Sequence, residues 1–206
     1  LLPERAEMSA DTVFDLASLT KPIATATSVM ILVERGAVRL DAPAVKYVPE
    51  LAPLPPFTVE QLLLHTSGLP AGTPVSDYAG DRSALMRRIA GLTPKSRPGE
   101  RFVYSDVGFV VLEEILRRAS GKDLAAFAAE EIFAPLGMGE TGFLPPPALR
   151  SRAAPTEERD GGWMVGEVHD PRAFAMGGVA GHAGLFSTAD DLARFARAML
   201  GRGALE

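Results

Sequence analysis

The sequence predicts a mostly helical chain with few strands, and three observations carry that reading. Apolar residues recur at helical spacing in several long segments. Glycines and prolines punctuate the gaps between them. The strand candidates are short: Phe102 to Tyr104, and Met176 to Phe186, the latter interrupted by Gly177, Gly178, Gly181 and Gly184.

The first helix lies within Asp11 to Leu40. Apolar side chains crowd both faces from Ile23 to Val33, so the helix is expected to be buried nearly all round. Pro22 belongs in a first turn and Gly36 is a stop signal. Ser18 and Lys21 then sit at the N-terminal end, among unpaired N–H groups and the positive dipole end. Residues 41–57, with Pro43, Pro49, Pro53, Pro55 and Pro56, read as loop and turns. Thr58-Val59-Glu60-Gln61 is a capping box opening a short helix through Leu64. Residues 81–90 form another helix, stopped near Gly91. A Pro/Gly turn from Lys95 to Glu100 leads into Tyr104. Val107, Val110, Val111, Leu112, Ile115 and Leu116 make a helical stripe over Asp106 to Ala119, ended by Gly121. Asp123 to Phe133 is amphipathic, and residues 141–175, with three prolines from Pro145 to Pro147, read as irregular. Thr188-Ala189-Asp190-Asp191 caps a last helix, giving about six in all.

Composition narrows the function classes. At 206 residues and 47% hydrophobic, the chain can bury the core of one domain. It has 21 basic and 26 acidic residues and no basic block, which argues against a nucleic-acid partner. Without cysteine it has no disulfide framework and no thiolate metal site. No apolar run is long enough for a transmembrane segment. Leu1 to Ala10 carries neither a start methionine nor a targeting pattern, and the chain stops just after a helix. A piece of a larger domain is therefore expected.

Three stretches in fixed order carry the chemistry: Ser18-Leu19-Thr20-Lys21, Tyr104-Ser105-Asp106 and Gly184-Leu185-Phe186-Ser187-Thr188. Positions i and i+3 of a helix are neighbours, so the Ser18 hydroxyl and Lys21 amine share a face. An adjacent amine can activate a serine without any histidine. Tyr104 adds a phenol that can relay protons. Ser-x-x-Lys alone is weak, since ordinary residue usage produces it about once in a chain of this size.

With His65-Thr66-Ser67-Gly68-Leu69, Arg97-Pro98-Gly99-Glu100 and Pro135-Leu136-Gly137-Met138 added, the chain resembles the serine β-lactamase and penicillin-binding protein superfamily. The branch it resembles best holds class C β-lactamases, D-alanyl-D-alanine peptidases and family VIII esterases. The likeness runs from Thr12 to Leu200. It implies an α+β fold, an antiparallel sheet flanked by helices beside a helical lobe of about residues 45–165, with the active site between them. Residues 1–206 would be an incomplete domain of this kind, mostly helical, lacking N- and C-terminal sheet strands. The family's Lys/His-Thr/Ser/x-Gly strand, which lends a backbone donor to the oxyanion hole, would be among the missing parts, leaving this piece alone inactive.

The resemblance implies a serine hydrolase that works through an acyl-enzyme on an ester, a β-lactam or a D-Ala-type peptide. Ser18 is then the nucleophile, with Lys21 and Tyr104 sharing the proton transfers. Neither lysine nor tyrosine is a base near neutrality when unperturbed, so an ammonium close to a phenol is the arrangement to look for. Asp106 stands where the family usually has asparagine. It can pair with Lys21 or a substrate N–H, and it would repel a substrate carboxylate. His182 lies in the glycine-rich stretch expected to run near the site and is a candidate substrate contact. No cofactor is implied, the substrate is a small molecule or peptidoglycan-derived, and relatives act mostly in the periplasm or outside the cell. The competing reading is a non-hydrolytic binding or sensor module that keeps the fold and acylates once.

Plainer roles stand beside these. Ser18 is also a good helix N-cap, and Asp106 can cap the helix that starts there. Tyr104 can be a packed aromatic. His65, His169 and His182 have no common metal-ligand spacing, so no metal site is expected. His65 is expected to bond backbone, His169-Asp170 to form a loop hydrogen-bond pair, and Trp163 and Phe174 to anchor core or loop.

Overall fold

The computed structural model describes residues 7–203, so the reading of Leu1 to Ala10 lies partly outside the described residues. Helix α4 (Asp106–Ser120) is the central element, and every residue from Val107 to Leu116 is buried. Its cap is Ser105, whose Oγ accepts the Gly108 N–H, and Gly121 ends it in the left-handed region at φ 73°. Around it pack α1 (Thr27–Glu34), α2 (Val59–Leu63) and α5 (Leu124–Ala128). Helix α3 (Arg82–Ala90) is capped by Asp81 and closes on Gly91. Thr58 and Gln61 form the expected reciprocal capping box.

The first and fifth helices are less regular than their sequence patterns suggest. The chain enters through a 3₁₀ turn (Ala17–Leu19), widens into π-type turns (Lys21–Ala26), and only then becomes α1. Pro22 has no N–H to give an i→i−4 bond, and its carbonyl accepts the Thr27 hydroxyl instead, at 2.8 Å. Helix α5 likewise runs on into π-type turns at Ala129–Phe133.

Two small antiparallel sheets complete the fold. In the first, β5 (Leu185–Ser187) lies between β1 (Phe14–Asp15) and β2 (Gly142–Phe143), with Phe14 opposite Ser187 and Gly142 opposite Phe186. The second is a hairpin, β3 (Pro155–Arg159) and β4 (Gly162–Val165). Residues 141–175 are therefore not irregular: they hold β2, α6 (Pro147–Arg150), the hairpin and α7 (Pro171–Ala175). Phe102 to Tyr104 forms no strand, its one backbone bond among the described residues running from the Val103 N–H to the His65 carbonyl at 2.8 Å, and of Met176 to Phe186 only the end joins a strand. Helix α8 (Ala189–Leu200) follows, capped by Thr188 as expected. No helix among the described residues is long and apolar enough to cross a membrane.

Candidate active site

Ser18 is exposed on the 3₁₀ turn that leads through the π-type turns into α1, and α1 is not buried all round as expected: Ser28, Val29 and Leu32 are buried while Met30 and Glu34 face out. The residue before it, Ala17, has φ 47°, an uncommon and costly conformation for a residue with a Cβ. Two polar groups hold this turn. Thr20 Oγ1 donates to the Ala17 carbonyl at 2.7 Å and accepts the Leu185 N–H at 3.1 Å. Asp15 Oδ1 accepts the Ala17 N–H at 2.8 Å.

Lys21 is buried, 3% exposed, one turn further on. Its Nζ donates to Ser18 Oγ at 3.0 Å and to the His182 carbonyl at 3.0 Å, and lies 2.8 Å from Asp106 Oδ1. All three N–H bonds of an ammonium are thereby engaged. The i, i+3 spacing does bring Ser18 and Lys21 together, although the intervening turns are 3₁₀ and π rather than α. Asp106 is free to turn toward Lys21 because Ser105 takes the capping role.

Tyr104 is 44% exposed, and Lys21 Nζ sits over its ring, 4.7 Å from the centroid. The ring rests against His65 at 4.5 Å between centroids. His65 Nδ1 accepts the Ser105 N–H at 3.0 Å, the backbone bond foreseen for it. Burial pushes the His65 pKa below its ordinary value and the charge of Lys21 adds to that, so the ring stays a neutral acceptor.

The loop opposite is pinned at several atoms. The Gly181 N–H donates to Glu113 Oε2 at 2.9 Å, and the Gly181 carbonyl accepts the Thr25 hydroxyl at 2.7 Å. A Cβ on Gly181 would meet the Phe109 carbonyl oxygen at 2.2 Å, so only glycine permits this approach to α4. Burial pushes the Glu113 carboxyl up, against the pull of Arg82, 2.5 Å away. His182 enters the site through its carbonyl. Its side chain is 1% exposed and Nε2 lies 2.9 Å from Asp170 Oδ1. Burial alone would raise the Asp170 pKa. The bonds from His182 and from the Ala173 and Arg172 N–H groups outweigh it and hold the carboxyl well below the usual range.

His169 and Asp170 do not pair with each other, contrary to expectation. His169 Nδ1 and its backbone N–H both reach Asp15 Oδ2 at 2.9 Å, while Asp170 turns to His182. Trp163 and Phe174 line a cleft of about 370 Å³ whose walls include none of Ser18, Lys21 and Tyr104. Asp106, Asp170 and His182 place ligand atoms within 4.8 Å of one another, a spacing that a cation could use. The Lys21 ammonium already lies against this group, and Asp170 is engaged by His182 and two backbone donors. Sequence reasoning missed Asp15 and gave Asp170 the wrong histidine. Their capping and turn-making roles are legible only once the loops are placed.

The Beta-lactamase family profile matches residues 3–206. A protein of Escherichia coli K12 named "Putative D-alanyl-D-alanine carboxypeptidase" is 31% identical over 98% of this chain and 54% of its own length. A Bacillus subtilis protein named N-acetylmuramyl-L-alanine amidase is 32% identical over 98% of this chain and 53% of its own. The chain thus spans about half the length of the curated relatives it matches. A crystal structure of a class C beta-lactamase superposes with a TM-score of 0.80, at 23% identity, over 96% of this chain and 53% of that one, which shows a shared fold. With the profile match spanning nearly every residue, the chain belongs to the beta-lactamase family.

Proposed function

We propose that this chain carries the nucleophile, base and proton relay of a serine hydrolase that acts by acyl transfer. The observation that carries the reading is the 3.0 Å bond from Lys21 Nζ to Ser18 Oγ, on a hydroxyl that is exposed while its partner is buried. Ser18 Oγ attacks a carbonyl carbon and its proton passes to the Lys21–Tyr104 pair. That pair returns the proton to the leaving group, and water then cleaves the acyl ester. Lys21 Nζ bonds the Ser18 hydroxyl directly and sits over the Tyr104 ring, so the two side chains are placed to share the proton transfers.

Relatives named for a carboxypeptidase and an amidase point to peptidoglycan-derived substrates. The Asp106 carboxylate favours an amide or ester with no carboxylate beside the leaving group over one ending in D-alanine. Action in the periplasm or outside the cell fits such substrates. Residues of about 45–165 would form the helical lobe of a domain completed elsewhere.

Intact mass after exposure to a fluorophosphonate tests the reading, on this chain, on the longer protein that carries it, and on Ser18→Ala of each. An adduct lost in the variant supports it. An adduct on the longer protein alone assigns part of the site to the remaining half. No adduct on either sinks the hydrolase reading, and an acyl group from substrate that forms but never leaves favours the sensor alternative.

A further inference from the structure

Two adjacent residues, His169 and Asp170, reach the Ser18–Lys21 pair from behind by two separate routes. On the first, His169 donates from its backbone N–H and lies with Nδ1 at 2.9 Å from Asp15 Oδ2. The other oxygen of that carboxylate accepts the Ala17 N–H at 2.8 Å. The Asp15 side chain is fully buried, so its carboxylate has no water to turn to, and its oxygens are directed by these three donors. Ala17 is the residue at φ 47° that sets the direction in which Ser18 leaves the turn. On the second route, Asp170 Oδ1 engages His182 Nε2 at 2.9 Å while capping α7 through the Arg172 and Ala173 N–H groups. The His182 carbonyl then accepts from Lys21 Nζ at 3.0 Å.

We propose that His169-Asp170 is a positioning clamp that sets the Ser18–Lys21 geometry from both ends, through Asp15 and through His182. The inference rests on the hydrolase reading for its consequence, but not for its existence. An unsupported left-handed alanine relaxes toward ordinary φ, and the hydroxyl moves with it. A displacement of about 1 Å in a reacting group is enough to cost up to a hundredfold in rate. His169 is the accessible handle, since its side chain is 35% exposed and its removal leaves the core intact. Asparagine at 169 can present an amide N–H in place of Nδ1–H, whereas alanine cannot.

The test compares wild type, His169→Ala and His169→Asn in the longer protein. Hydrogen–deuterium exchange is followed over the peptide from Phe14 to Thr20, and fluorophosphonate labelling of Ser18 is timed. We expect exchange at that peptide to quicken about tenfold in His169→Ala while α4 is unchanged, with labelling slowed about tenfold. His169→Asn should restore both to within about threefold. Equal exchange in all three proteins overturns the clamp. So does faster exchange with unaltered labelling, because the turn would then move without consequence for Ser18. If wild type takes no label at all, the hydrolase reading fails, and the exchange comparison still decides whether the Asp15 link holds the turn.

Discussion

Lys21 Nζ lies 2.8 Å from Asp106 Oδ1, and the lysine side chain is 4% exposed against 21% for the aspartate. The pair is buried at the amine end and open at the carboxylate end. The amine therefore lies beneath Ser18, while the carboxylate is turned toward the open side. Asparagine there would still accept from Lys21 and would present no charge.

Asp106→Asn should thus alter substrate choice more than the chemistry at Ser18. Two like charges about 8 Å apart at an effective dielectric of ~20 cost about 2 kcal/mol, which is more than tenfold. The ratio of kcat/KM for a D-Ala-D-Ala-terminated peptide to that for a neutral ester should rise by about that factor. A ratio unchanged by the substitution would remove Asp106 from any part in specificity.

Ser18 and Lys21 should separate cleanly in stability. Ser18 is exposed and bonds nothing buried except through Lys21, so Ser18→Ala should shift unfolding by no more than about 0.5 kcal/mol while abolishing acylation. Lys21→Met fills the same volume but leaves the buried His182 carbonyl without its donor. That should cost about 1–3 kcal/mol in addition to the loss of activity. Urea titrations of both variants, run beside labelling with the fluorophosphonate, check this contrast.

Gly181→Ala should damage stability and the site together. The new methyl would lie 2.2 Å from the Phe109 carbonyl oxygen and 2.9 Å from Glu113 Cβ, both on the central helix. The loop has to retreat, at a cost of about 1–3 kcal/mol, and it takes the His182 carbonyl away from Lys21. Circular dichroism melts should show the loss, and labelling of Ser18 should slow even where the variant remains folded.

Elements with a long repeat were legible before folding, and those built from two or three residues were not. The stripe from Val107 to Leu116, the Thr58–Gln61 box and the Thr188 cap each follow from local spacing, and each is where it was expected. Strands β1 and β2 have two residues each, too few for an alternating pattern to register. The β3–β4 hairpin did leave a signal, Asp160-Gly161, with both residues at positive φ, 53° and 82°. It was masked by a run of exposed charge in β3. In the site, Ser18 and Lys21 were readable because they are three residues apart. The bonds from Asp15 to His169 and from Asp170 to His182 span 154 and 12 residues and depend on loops with no periodicity. Ser105 and Asp106 both suit an N-cap by residue type, and only the structure shows that Ser105 serves.

Acid should loosen the site through Asp170. Its carboxyl is held well below the usual range despite burial, because His182 and the α7 N–H groups prefer the charged form. In the unfolded chain an aspartate takes up its proton near pH 3.9, while the folded protein still excludes it. Between that pH and the folded value the unfolded state binds more protons, so stability falls as pH drops through the window. The contribution is fully present above about pH 4 to 5 and absent once both states are protonated. Glu113 has the opposite sign: its carboxyl is raised by burial, so its contribution is lost as pH rises rather than as it falls. Asp170→Asn keeps one acceptor for the α7 N–H groups but carries no charge to titrate. Urea midpoints measured from pH 6 down to pH 2.5 should therefore fall less steeply in Asp170→Asn than in wild type, starting from a lower value at pH 6. Identical slopes would mean that the His182–Asp170 pair does not hold the carboxylate charged in solution.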